Sequence, residues 1–154
     1  MKLDPQANWP AIAILCAMFA MALSAWPAAP AQLPIHWDAS GRIDEYGNKF
    51  SALLLIPILA TAIYFVLEAS SRLRSSRIDA ATKRAFASFK YAILFVMAGV
   101  YAVMAAAVRG IVVNMNLVAI PLIALLLIAA ASLTYHGIRA ATAIRGTTRN
   151  GISS

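Results

Sequence analysis

Apolar residues run along this chain in four long blocks, at residues 11–29, 51–69, 91–108 and 117–135, separated by short polar stretches. Each block is long enough for a helix crossing about 30 Å of hydrocarbon, which takes about 20 residues. Charge is confined to their edges, at Glu68 and Arg109, where long side chains reach back to the headgroups. Strands would leave backbone groups unpaired in lipid, so the pattern predicts an all-α polytopic bundle of four transmembrane helices. Residues 1–154 form one membrane domain, with an ordered extracytoplasmic loop at 30–50, a basic segment at 70–90 and a polar, disordered tail at 143–154.

Composition reinforces this reading. Hydrophobic residues make up 62% of the chain and charged residues 12%, about half the charged share of a soluble domain; the mean hydropathy is +0.75. The net charge of +7 is explained by topology, so no nucleic-acid partner is expected. Lys2, Arg72, Arg74, Arg77, Lys83, Arg84, Lys90, Arg139, Arg145 and Arg149 fall on one side of the four spans, and Arg42, Lys49 and Arg109 on the other. That ten-to-three asymmetry predicts a multi-pass protein of the bacterial inner membrane with both termini cytoplasmic. The first span is followed by the small residues of "WPAAPA", but the leader "MKLDPQANWP" is too weakly basic to favour a cleaved signal peptide.

Several local features add expectations. Ser76 and Asp79 have capping-box spacing ahead of a third helix that starts in the cytoplasm and continues into the bilayer. The basic segment reads as a positive-inside anchor, with a lipid- or partner-binding face as the sharper alternative. Ala13 and Ala17, and Ala98, Ala102 and Ala106, have the small-xxx-small spacing of close helix contacts. Pro57 should kink the second span. Cys16 should be a packed thiol, and no span offers a buried Asp, Glu or Lys at mid-depth, which counts against a pump. Asn114 and Asn116 suit the short outer turn.

The outward loop, "LPIHWDASGRIDEYGNK", carries the candidate chemistry. Prolines upstream favour extended backbone, in which His36 and Asp38 point the same way. Asp38–Gly41 has the signature of a type I turn, and Asp44–Gly47 repeats it six residues later. Trp37, Tyr46 and Phe50 suit headgroup depth, and Lys49 can pair with a carboxylate at the interface. If His36, Asp38 and Asp44 converge, they supply one imidazole and two carboxylates for a divalent metal such as zinc. Ser40 is the nearest nucleophile for a hydrolytic site.

The run P-x-x-L-P-I-H-W-D-x-S-G-x-x-D-x-Y-G-x-K, followed by "FSALLLIPIL", resembles the uncharacterised N-terminal membrane domain of SdpI-like proteins. The resemblance covers residues 10 to 69 and falls on Pro34, His36, Asp38, Gly41, Asp44, Gly47 and Lys49, with Pro57 in the following helix. It implies immunity to a membrane-active toxin peptide, or signalling from the envelope. Residues 70–154 do not carry the further helical region of those proteins. Three readings follow. The first is a non-enzymatic membrane protein whose loop, with Trp37 among its residues, meets an external ligand or peptide. The second is a small metal-dependent membrane enzyme or metal sensor. The third is an accessory subunit of a larger membrane complex, or a homo-oligomer.

Overall fold

The computed structural model describes residues 5–74, 79–111 and 113–150. The order is α1 (Pro5–Ala25), β1 (Leu33–Trp37), β2 (Ile43–Gly47), α2 (Lys49–Leu53), α3 (Leu55–Arg74), α4 (Ala80–Val108) and α5 (Met115–Asn150). Helices α1, α3, α4 and α5 are long and apolar enough to cross a membrane, so the chain is a four-helix, multi-pass membrane protein.

Helix α4 is the centre of the bundle. It packs against α1, α3, α5 and β1, whereas α5 packs chiefly on α4 alone. The α1 face that turns inward is Ala11, Leu15, Met18, Ala22 and Ala25, at the three- and four-residue spacing of one helix face. Leu94, Tyr101 and Met104 of α4 meet it, together with Ala60 and Tyr64 of α3 and Leu53 of α2. This differs from the expected small-residue seams. Ala13, Ala17 and Ala102 are exposed, because the bulkier Leu15, Met18 and Leu94 sit on the buried face and set the helix rotations. Cys16 is likewise exposed on the outside of α1 instead of packed.

The second apolar block does not form one helix. It breaks at Leu54 (φ −111°, ψ −27°), between α2 and α3. Pro57 has no N–H to bond the Leu53 carbonyl, and its ring crowds that carbonyl, so the break falls three residues before the proline. The helix resumes at once, with the Ile58 N–H donating to the Leu54 carbonyl at 3.0 Å. The Thr61 hydroxyl donates to the Pro57 carbonyl at 2.8 Å.

Asp79 is itself the N-cap of α4, accepting from the Ala81 and Thr82 N–H groups. These contacts, chiefly with Thr82, hold its carboxyl below the usual range. The expected capping box put Ser76 at that position; Ser76 lies outside the described residues. Helix α5 runs to Asn150, past residue 143 where the polar tail was expected to lose order; residues 151–154 are outside the description.

Candidate functional site

The loop between the first two spans is a β-hairpin. Strands β1 and β2 pair antiparallel, with Leu33 opposite Gly47, Pro34 opposite Tyr46, His36 opposite Glu45 and Trp37 opposite Ile43. A two-stranded ribbon is marginal in isolation, so its order depends on the bundle. Leu33 is 1% exposed, and Ile35 and Trp37 pack on the core. Further tethers come from both sides. The Lys49 ammonium donates to the Trp26 carbonyl at 3.2 Å, just beyond the end of α1. The Asn116 amide, in the first turn of α5, donates to the Ala39 carbonyl at 2.9 Å. Lys49 therefore secures the loop through a backbone carbonyl, where a carboxylate partner was expected.

The hairpin tip follows from Asp38. The Gly41 N–H donates to the Asp38 carbonyl at 2.9 Å, and the Asp38 N–H donates to the Arg42 carbonyl at 2.8 Å. With Gly41 at φ +80°, this is a type I turn closed by a glycine bulge. The Asp38 carboxylate accepts from the Ser40 N–H, the Ser40 hydroxyl and the Arg42 N–H at 2.8, 2.6 and 3.0 Å. The hydroxyl bond contributes most to holding this carboxyl below its ordinary range.

The second expected turn does not form. Asp44, Glu45, Tyr46 and Gly47 lie in β2, because cross-strand pairing satisfies their backbone more fully than an isolated turn would. Asp44 falls at an irregularity in the ladder, between the His36–Glu45 and Trp37–Ile43 pairs. Bulged positions re-aim side chains, and the Asp44 carboxylate meets His36 Nδ1 at 2.7 Å. This bond, and then the negative charge behind it, raises the His36 pKa above its usual 6.5.

The structure thus joins His36 to Asp44 and directs Asp38 into its own turn. Among the described residues, no group of three or more His, Cys, Asp or Glu side chains is placed to hold a metal. The expected donor set of His36, Asp38 and Asp44 is split between two jobs. Ser40 bonds Asp38 and accepts from Arg42 Nε at 2.9 Å, so its hydroxyl serves the turn.

Beneath the tip lies a cavity of about 430 Å³, lined by Pro34, Trp37 and Ile43 of the hairpin, by Val103 and Ala107 in the last turns of α4 and by Ile111 just after it. This volume is in the range of small-ligand sites, about 300–1,000 Å³. Strand β1 rests on α2 and α4, while residues 43–46 of β2 are exposed. Among the described residues the sheet has two strands, so β2 presents one row of backbone N–H and C=O groups without a strand partner there.

Sequence reasoning missed a second polar site, at the opposite end of the bundle. Glu68 was expected at an interfacial edge and Lys90 in the cytoplasmic basic segment, yet each is 7% exposed. Lys90 Nζ lies 2.7 Å from Glu68 Oε2, and Arg72 donates through Nε and Nη2 to Glu68 Oε1 at 2.9 and 2.8 Å. The Tyr64 hydroxyl donates to Asn8 Oδ1 at 2.7 Å, and Lys90 sits over the Tyr64 and Tyr91 rings. Three helices are therefore joined by one network inside their apolar spans. Its signal was present in the spacing: Tyr64, Glu68 and Arg72 recur every four residues, and Lys90 is in helical phase with Leu94 and Tyr101.

Residues 13–61 match the family model of a domain of unknown function, DUF1648. The match takes in the inner face of α1 from Leu15 onward, the whole hairpin and the break at Leu54. No curated protein and no solved structure matches the chain.

Proposed function

We propose that this is a non-enzymatic protein of the bacterial inner membrane, with both termini cytoplasmic, whose hairpin receives an extended peptide from outside. Immunity to a membrane-active toxin peptide, or sensing of such a peptide at the envelope, is the role this arrangement suits. The observation that carries the reading is the exposed outer edge of β2 beside an apolar cavity. Backbone edge groups bind an added strand irrespective of its sequence, and adjacent apolar pockets select its side chains. The bracing of β1, the strand that holds β2 in register, by α2, α4 and the core supports the same reading, because a receiving hairpin that is already ordered loses little entropy on binding.

The test is survival of a deletion strain challenged with the organism's own secreted peptide fraction. Deletion should sensitise the cells. Restoration should succeed with the wild-type gene and fail with Tyr46→Pro, which places a ring on β2 and removes an N–H. Equal sensitivity with and without the gene would overturn the proposal. So would full protection by a Tyr46→Pro protein that reaches the membrane in normal amount.

A further inference from the structure

A groove of about 560 Å³ lies between α1, α4 and α5, far from the hairpin tip. Ile14, Phe95, Leu125, Ile128 and Ala129 make its apolar length, and Ser88 and Ser132 are its small polar members, with Tyr91 also in the lining. Phe95 is 55% and Ile128 69% exposed, so the groove opens sideways from spans apolar enough to lie in the bilayer.

Helix geometry sets what stands beyond the serines. On α4, Arg84 is one turn from Ser88 on the same face, and Phe95 continues that face into the groove. On α5, Arg139 follows Ile128, Ser132 and Tyr135 at the same kind of spacing. The Thr82 hydroxyl donates to the His136 carbonyl at 3.3 Å, which puts these turns of α4 and α5 side by side. Arg139 reaches back over the Tyr135 ring, its guanidinium carbon 5.7 Å from the centroid, and donates to the Tyr135 hydroxyl at 3.3 Å. Among the described residues neither arginine has a carboxylate partner.

We propose that this groove binds an anionic glycerophospholipid. One acyl chain lies along Phe95, Leu125 and Ile128, the glycerol esters meet Ser88 and Ser132, and the phosphate faces Arg84 and Arg139. Charge complementarity selects the occupant: an apolar channel that ends at two hydroxyls and two cations mirrors the order of chain, ester and phosphate in such a lipid. Juxtamembrane arginines attract anionic headgroups, and the preference here is for a lipid seated in a groove rather than for the membrane surface at large.

Native mass spectrometry of the full chain, released from detergent and titrated with dioleoylphosphatidylglycerol, dioleoylphosphatidylcholine or glycerol phosphate, tests this. Phosphatidylglycerol should be retained about ten-fold more tightly than phosphatidylcholine, and glycerol phosphate should not be retained. Arg84→Ala and Arg139→Ala should each weaken phosphatidylglycerol about five-fold. Arg84→Lys should keep most of the preference, which separates lost charge from lost folding. Lys83→Ala removes the same charge from a different face and should leave binding unchanged. Equal retention of the two lipids, an equal loss in Lys83→Ala, or tight binding of glycerol phosphate would each overturn the proposal.

Discussion

Replacing Glu68 with Gln should be the most damaging single change in the buried network. The carboxylate is the sole anion facing Lys90 and Arg72 among the described residues. The Lys90 side chain is 8% exposed, so Glu68→Gln leaves an ammonium buried without a counter-charge, at a cost of about 3–5 kcal/mol. Lys90→Met is milder, because Glu68 keeps both bonds from Arg72; the loss is one charge-assisted bond, about 1.5–3 kcal/mol. Arg72→Met is milder again. Its side chain is 33% exposed, and the Glu68–Lys90 pair survives without it.

The ranking follows from which charge is stranded, not from how many bonds are lost. The double variant Glu68→Leu with Lys90→Met makes the same point: both buried charges vanish, Arg72 can turn outward, and stability should recover towards wild type. Thermal unfolding in detergent micelles, followed by far-ultraviolet circular dichroism, reads the series. At about 2–4 °C per kcal/mol for a chain of this size, Glu68→Gln should lower Tm by about 6–20 °C. The reasoning fails if Glu68→Gln costs no more than Arg72→Met, or if the double variant is as unstable as the sum of its parts.

Three changes in the hairpin give further expectations. Gly41→Ala forces a side chain into φ +80° and brings its Cβ to 2.6 Å from Asn114 Oδ1, so it should cost about 1–2 kcal/mol and speed hydrogen exchange at the Asp38 and Arg42 amides. Asp38→Asn keeps an acceptor for the Ser40 and Arg42 N–H groups and should cost little, whereas Asp38→Ala removes the acceptor of all three turn bonds and should cost clearly more; chemical denaturation compares them. His36 has a raised pKa in the folded state, so the stability its protonation adds is complete below the unfolded value of 6.5 and is lost as pH rises through the folded value. Asp44 is the main source, with Glu45 and Asp38 adding negative charge. An NMR titration of His36 should therefore move towards 6.5 in Asp44→Asn, and an unchanged midpoint would contradict the pairing.

Four spans were legible because apolar length in a bilayer is close to a sufficient cause of helix. The turn at Asp38–Gly41 was legible for a similar reason: its chemistry is local, and the carboxylate serves N–H groups two and four residues away. Asp44–Gly47 has the same Asp and Gly at its ends and becomes a strand, because the deciding partner, His36, is eight residues back and reached only through register. The second polar site was hidden by an ambiguity of long side chains. A Glu or Lys at the edge of an apolar run can snorkel or turn inward, and only the approach of α1, α3 and α4 decides. The break at Leu54 was half legible: Pro57 announced a distortion, and the freed carbonyl of Leu53 set where it falls.

The placement of the polar bonds explains how four apolar helices find one arrangement. Hydrocarbon tails solvate leucine as well as another helix does, so burial gives little drive for helices to associate in lipid. Register must come from shape and from the few polar bonds. Here the bonds that join separate elements lie at the two ends: Lys49 to Trp26 and Asn116 to Ala39 beside the hairpin, and the Glu68 network with Thr82 to His136 at the other end. Helix α5 depends on this most, since it packs chiefly on α4. It is pinned near its start by Asn116 and again at His136. Between them Gly99 lets Leu122 approach to where a Cβ would lie 2.5 Å away. Two pins and one close contact fix both the height and the rotation of α5, which a greasy interface alone would leave free to slide. The hairpin is thus held in place by a helix that joins the chain some seventy residues later, and its geometry is a property of the whole bundle.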